Sequence, residues 1–183
     1  SAGMMRQGLR QAMHHVCHRS AFQRKLVDQP LMRNVLADLA IETEAAMAYS
    51  LRLGRAIDEA ASDDMAAGLA RIGTAIGKYW VCKRAPAHVG ESLECLGGAG
   101  YVEESGLPRI YREAPLNGIW EGSGNVICLD VWRALQREEA AVPAILAELE
   151  AAKGGNALLD RTAELVSQDL SDPEDFELRA RAV

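Results

Sequence analysis

Two short stretches of this chain carry residue types that could do chemistry. Trp120-Glu121-Gly122-Ser123-Gly124-Asn125 sets one carboxylate between the bulky pair Ile119-Trp120 and a run of small residues. A carboxylate held against an indole and an aliphatic side chain is desolvated. Its pKa then rises, and it becomes suited to general-base work. Gly122 lets backbone approach a flat substrate closely. The same residues also make an ordinary helix start, with an acid complementing the macrodipole beside a Ser cap. Upstream, Glu94-Cys95-Leu96-Gly97-Gly98-Ala99-Gly100-Tyr101 strips side chains from a turn, so a ligand could lie on bare backbone. Its structural alternative is a helix C-cap and a sharp reversal. It is not a dinucleotide fingerprint, because it ends a helix and does not open one after a strand.

Near the other end, Arg19, Arg24 and Lys25 surround Phe22. Cations beside an aromatic ring could hold a phosphate and stack on a purine, or they could form a solvated loop with one apolar anchor. His14, His15, Cys17 and His18 have metal-like spacing, with His14 and His18 on one helix face. His88 is the one remaining histidine and no second ligand cluster exists, so a polar face on a basic helix accounts for them and no metal is expected. Cys17 and Ser20 lack the partners of a hydrolase triad.

The elements that must position these residues are helical. Met5, Leu9, Met13 and Val16 form one stripe over residues 4–19. Pro30 suits the first turn of a helix over 30–61, whose apolar positions keep helical spacing from Leu31 to Ile57. Ser62-Asp63-Asp64 is a break and cap, followed by a helix over 64–96 that Pro86 should kink or split. Residues 101–119 read as loop with a short helix from Pro108 to Arg112. A further helix runs over 123–136, and shorter ones over 142–152, 156–170 and 173–181. No alternating stretch reads as a strand. The expected fold is all-α: an antiparallel up-down helical bundle over residues 1–137, with an appended acidic helical extension over 138–183.

Composition agrees. The chain has 183 residues, enough for a real core, and aromatics at 5% with abundant Ala and Leu favour helix over strand. No apolar run is long enough to span a bilayer, so no membrane partner is expected. Four cysteines without a CxxC pair read as reduced buried thiols, and a cytoplasmic setting is expected from them. Net charge is −6 overall, but residues 138–183 carry −7 and residues 1–137 carry +1. The acidic tail disfavours nucleic-acid binding through that end, while the basic N-terminal part could seat phosphates.

Taken together, these segments resemble the C-terminal helical domain of the acyl-CoA dehydrogenase family over roughly residues 4–137. Arg19-Ser20-Ala21-Phe22-Gln23-Arg24 resembles its Arg-x-x-Phe-Gly-Lys segment. Glu94 to Tyr101 resembles its Gln-x-Leu-Gly-Gly-x-Gly segment, and Trp120-Glu121-Gly122-Ser123 its Tyr-Glu-Gly-Thr segment. The forms here look most like the adaptive-response, DNA-alkylation-associated branch, with isovaleryl-CoA dehydrogenases as neighbours. The resemblance implies that Glu121 is the base removing the α-proton of an acyl-CoA thioester, with FAD as cofactor. It places Arg19 on the FAD pyrophosphate and Phe22 near its adenosine end, with Gln29 at a further FAD-contacting position. It sets Glu94, Gly97 and Gly98 against the FAD of a neighbouring protomer, and Ser123 and Asn125 beside the base and the FAD. A homodimer or homotetramer follows.

Three departures bear on this. Glu94 stands where the family has Gln, and a carboxylate near nucleotide phosphates is costly unless a cation screens it. Asn125 is shorter than the family's Gln. The family also has an N-terminal helical domain and a middle β domain that shape the isoalloxazine and acyl-CoA pockets. The chain is expected to lack these and to begin partway into its first helix. The fragment alone is therefore expected to be inactive, with an uncovered apolar wall favouring self-association. Two other functions fit parts of the sequence: an alkylation-response flavoprotein module associated with nucleic acid, and a plain helical oligomerisation scaffold.

Overall fold

Helix α1 (Ala2–His18) buries Met5, Gly8, Ala12 and Val16, one residue per turn along a single stripe. That stripe sets the direction of its neighbours. Met5 packs with Ala46 of helix α2 (Pro30–Glu59) and with Val81, Ala85 and Val89 of helix α3 (Asp64–Glu94). Further along α1, Ala12 and Val16 pack with Leu36 and Leu39 of α2 and with Cys95 just past α3. Numbers fall along α2 and rise along α3 as α1 advances, so α2 runs antiparallel to both. The expected all-α bundle is the fold. The computed structural model describes residues 1–171 and 176–181.

Helix ends follow local chemistry. Pro30 opens α2, where a missing N–H costs nothing. Asp63 caps α3, its Oδ1 accepting the N–H groups of Met65 at 2.8 Å and Ala66 at 3.3 Å. After α3 come helix α4 (Gly98–Tyr101), a 3₁₀ turn over Glu103–Ser105, helix α5 (Leu107–Glu113) and a second 3₁₀ stretch, Ala114–Gly118. Helices α6 (Gly124–Arg137), α7 (Ala141–Ala151), α8 (Ala157–Ser171) and α9 (Phe176–Arg179) complete the order. The expected 173–181 helix falls partly outside the described residues.

Two local expectations are corrected. Pro86 does not split α3, which runs unbroken from Asp64 to Glu94. Ala85 and Val89, fully buried in the cluster around Met5, hold both flanking turns in place. Such packing outweighs a lost hydrogen bond and ring clash of about 3 kcal/mol. A small antiparallel hairpin also exists, with β1 (Ser20–Ala21) pairing β2 (Arg24–Lys25). It is too short for alternation to announce it.

The chain forms two compact units, residues 1–50 with 80–121 and residues 51–79 with 122–183. The first holds the clusters around Met5 and Val16. The second is built on Ala56, Leu69 and Ala144, and on Ile72, Ala134 and Ala141. It is clamped by a two-pronged pair in which Arg71 donates to both carboxylate oxygens of Asp130, at 3.0 and 2.9 Å.

Candidate functional site

In the first unit, the hairpin turns through Phe22 (φ +51°) and Gln23 (φ +65°). A two-residue turn with both central residues left-handed matches the right-handed twist of the strands it joins, and Asn-Gly is its usual sequence. Phe and Gln pay a steric penalty of about 1–3 kcal/mol each in that conformation. The turn sets Phe22 outward, 90% exposed. Arg19, also exposed, closes the base of the loop, its carbonyl accepting the N–H of Leu26 at 2.9 Å. Gln29 Nε2 donates to the carbonyl of Ala21 at 3.4 Å, so Gln29 is tied to the hairpin. Arg19, Phe22 and Gln29 are thus one structural group.

The glycine turn is the second group. Glu94 ends α3, and the Gly97 N–H returns to its carbonyl at 2.9 Å. Gly97 takes φ +59°, which only glycine adopts without strain. A Cβ at Gly97 or Gly98 would meet nothing within 4 Å, so this backbone is open to approach. Cys95 and Leu96 anchor the turn in the apolar cluster that also receives Leu26 and Val27 after the hairpin. One cluster therefore carries both groups. Burial pushes the Cys95 thiol up to about 11, with Glu91 and Glu94 adding to the effect, so it is no nucleophile. Glu94 is exposed and lines an open groove of about 670 Å³ with Leu93, Tyr101, Val102 and Tyr111.

Glu121 is the last residue of the first unit, at φ +53°. Here one expectation fails: the carboxylate is not desolvated by its neighbours within this chain. Glu121 is exposed, and Ile119 and Trp120 are 65% and 54% exposed. The Trp120 indole N–H donates to Asn117 Oδ1 at 3.1 Å. The helix-start alternative for Glu121 is not realised either. Helix α6 starts at Gly124 with Ser123 as N-cap, no acid stands in its first turn, and the Ser123 side chain makes no cap bond. Glu121 therefore lies outside the turn where it would complement the helix dipole.

Ser123 and Asn125, both exposed, belong to the second unit. There Lys78 Nζ donates to the Gly122 carbonyl at 3.0 Å. Arg181 Nη1 donates to Asn125 Oδ1 at 3.3 Å. Sequence reasoning did not find Lys78 or Arg181, because their partners are far away along the chain. His14 and His18 stack at 4.5 Å between ring centres, and His18 Nδ1 donates to the His14 carbonyl at 2.7 Å. Among the described residues, no group of three or more His, Cys, Asp or Glu could hold a metal ion.

Among the described residues, the non-glycine positions with left-handed backbone are Phe22, Gln23 and Glu121. All three fall in the segments singled out for chemistry. Residues 1–136 match the model of the acyl-CoA dehydrogenase C-terminal domain. The chain belongs to the acyl-CoA dehydrogenase family. It is similar to AidB of Escherichia coli (strain K12), 42% identical over 94% of this chain and 32% of that protein. The crystal structure of Caenorhabditis elegans ACDH-11 in complex with C11-CoA superposes with a TM-score of 0.82 at 30% identity, over 93% of this chain and 30% of that one. The structure of Bd2924 in its apo-form gives a TM-score of 0.85 at 29% identity, over 99% and 36%. The chain thus spans about a third of the length of these relatives.

The acyl-CoA dehydrogenase of Bacillus anthracis, of the same fold at 19% identity with a TM-score of 0.61 over 98% of this chain and 39% of that one, was solved in complex with FAD. Within each unit, the residues present are of types that suit a dinucleotide. Arg19 and Arg24 offer cations and Phe22 an exposed ring, while Gly97 and Gly98 leave room for close approach. Ser123 and Asn125 add exposed polar side chains in the second unit. Among the described residues, no helix is long and apolar enough to cross a membrane.

Proposed function

We propose that this chain, residues 1–137 with an extension over 138–183, is the C-terminal helical wall of an FAD-dependent acyl-CoA dehydrogenase-type oxidoreductase. Its Glu121 takes the α-proton of an acyl-CoA thioester. The observation that carries this reading is the left-handed backbone at Glu121. A bulky residue held there costs energy that local structure does not return, and such positions cluster at active sites. ACDH-11, bound to C11-CoA in its structure, supports an acyl-CoA thioester as the substrate class.

When bound, FAD supplies the acceptor for the hydride leaving the β-carbon. The chain's own residues hold and orient. Arg19 neutralises the pyrophosphate, Phe22 covers the adenosine end, and Gln29 keeps the hairpin in register. Ser123 and Asn125 offer hydrogen bonds beside the base. Glu94, Gly97 and Gly98 lie against the FAD of a neighbouring protomer in a homodimer or homotetramer. The Glu121 carboxylate accepts the α-proton of the bound thioester. The isolated chain, with Glu121 open to solvent, is inactive.

The test uses the complete protein. Glu121→Gln is expected to lower turnover of an acyl-CoA by about 10²- to 10⁴-fold, the range for a general base. The protein stays yellow and FAD-loaded. Turnover equal to wild type would overturn the assignment.

A further inference from the structure

The acidic C-terminal stretch ends in two arginines, Arg179 and Arg181, that the proposed function leaves unused. Arg179 Nη1 donates to Asp169 at 2.6 Å, tying α9 to α8. Helix α9 also packs on α6, and two residues beyond α9 the Arg181 guanidinium reaches back to the start of that helix. Its Nη1 donates to Asn125 Oδ1 at 3.3 Å, and its Nε donates to the Tyr79 hydroxyl at 3.3 Å. All these residues lie in the second unit.

We infer that Arg181 is a positioning residue: it fixes the side-chain amide of Asn125 so that its NH₂ group points away from the protein, ready to donate to the cofactor. The reason is the donor inventory. A guanidinium has five N–H donors and no acceptor, so only the amide oxygen can face it. The NH₂ group must then take the opposite side. Among the described residues it has no protein partner. An exposed Asn without Arg181 would sample both flips, and half of the time would present an oxygen to the electron-rich edge of a dinucleotide. Tyr79 holds the guanidinium from the other side and limits its swing.

This inference rests on the proposed role of Asn125 as an FAD contact, and the experiment separates the two. The complete apoprotein is titrated with FAD, following the change in flavin fluorescence, for wild type and variants whose apo melting temperatures match. Asn125→Ala is expected to weaken FAD binding about tenfold, the worth of one hydrogen bond to a charged or strongly polar partner. Arg181→Ala is expected to weaken it about twofold, the loss from a competent amide populated half of the time, and Arg181→Lys to restore most of that loss. Asn125→Asp keeps an acceptor for Arg181 but removes the donor, so it is expected to bind as poorly as Asn125→Ala. In the Asn125→Ala background, Arg181→Ala adds nothing.

Affinity unchanged by Asn125→Ala defeats the contact itself, and the inference with it. Weakening by Asn125→Ala with no effect of Arg181→Ala defeats only the inference. Wild-type affinity in Asn125→Asp, or a further loss from Arg181→Ala in the double variant, makes Arg181 a direct ligand and overturns its positioning role.

Discussion

Within the first unit, buried polar groups and the groups of the candidate site are treated in opposite ways. Thr43, His88 and Ser92 are buried at 4%, 6% and 0% exposure. His88 Nε2 lies 2.9 Å from Thr43 Oγ1 and 3.0 Å from the Leu39 carbonyl, and the Ser92 hydroxyl donates to the His88 carbonyl at 2.9 Å. These groups bond one another and helix carbonyls, and His88 Nδ1 alone of the three residues' side-chain polar atoms is left buried without a partner. Phe22, Gln23 and Glu121 are exposed, on backbone that L-residues avoid. A fold under selection for stability alone would set glycine or asparagine at such positions. The interior polar groups sit on relaxed helical backbone, whereas the hairpin turn and Glu121 carry a backbone cost.

The widest gap between the regions should appear when one residue from each is changed. Glu121→Gln removes the base, worth up to about 10⁴-fold in turnover. Yet it touches no buried contact and should leave the melting temperature where it was. Met5→Ala should do the reverse. Met5 is fully buried among Ala46, Val81, Ala85 and Val89, and its truncation should cost about 2–5 kcal/mol in urea unfolding. If Glu121→Gln destabilised the fold as much as Met5→Ala, the two regions would not be separable.

A smaller effect probes the interior polar pair. Thr43→Val keeps the shape but removes one partner of His88 Nε2, at an expected cost of about 1–2 kcal/mol. His88 also carries a pH signature. Burial lowers its pKa below 6.5, against smaller opposing contributions from the Leu39 carbonyl and Glu42. The unfolded chain therefore binds the proton more readily than the folded one. Its contribution to stability is intact above about pH 6.5 and is lost as pH falls toward the lowered folded value. Denaturant midpoints across that window should fall on acidification, and His88→Gln should flatten this part of the profile. A wild-type midpoint that rises on acidification through the window would contradict a neutral buried imidazole.

The helices could be read because their signals are local and redundant. Asp63 announces α3 through its own side chain, and the Met5–Val16 stripe repeats over several turns. Of the two outcomes Pro86 allowed, a kink or a split, the split does not occur, because a breaking propensity of a few kcal/mol competes with packing by residues elsewhere in the chain. At the site, residue types were readable but backbone state was not. Nothing in Phe22-Gln23 by itself calls for a turn that favours Asn-Gly, although the family's glycine at the Gln23 position was a signal for it. The exposure of Glu121 was not foreseeable from Ile119-Trp120, since neighbours in sequence need not cover one another on a turning loop. Arg181 beside Asn125 is a pairing across 56 residues that no local pattern encodes.

The smallest expected effect bears most directly on the strained region. Gln23→Gly places at φ +65° the residue that conformation favours, where the family's own pattern carries glycine. Relief of left-handed strain, about 1–2 kcal/mol, is partly offset by the extra freedom glycine gives the unfolded chain, about 0.4–1 kcal/mol. The net gain should be about 0.5–1 kcal/mol, read as a higher denaturant midpoint with an unchanged slope. The gain should come without loss of FAD affinity in the complete protein, because the turn that presents Phe22 is kept and only its cost is removed. A midpoint that falls would mean that the Gln23 side chain makes a stabilising contact of its own. The hairpin would then belong with the relaxed interior, and strain would mark Glu121 alone.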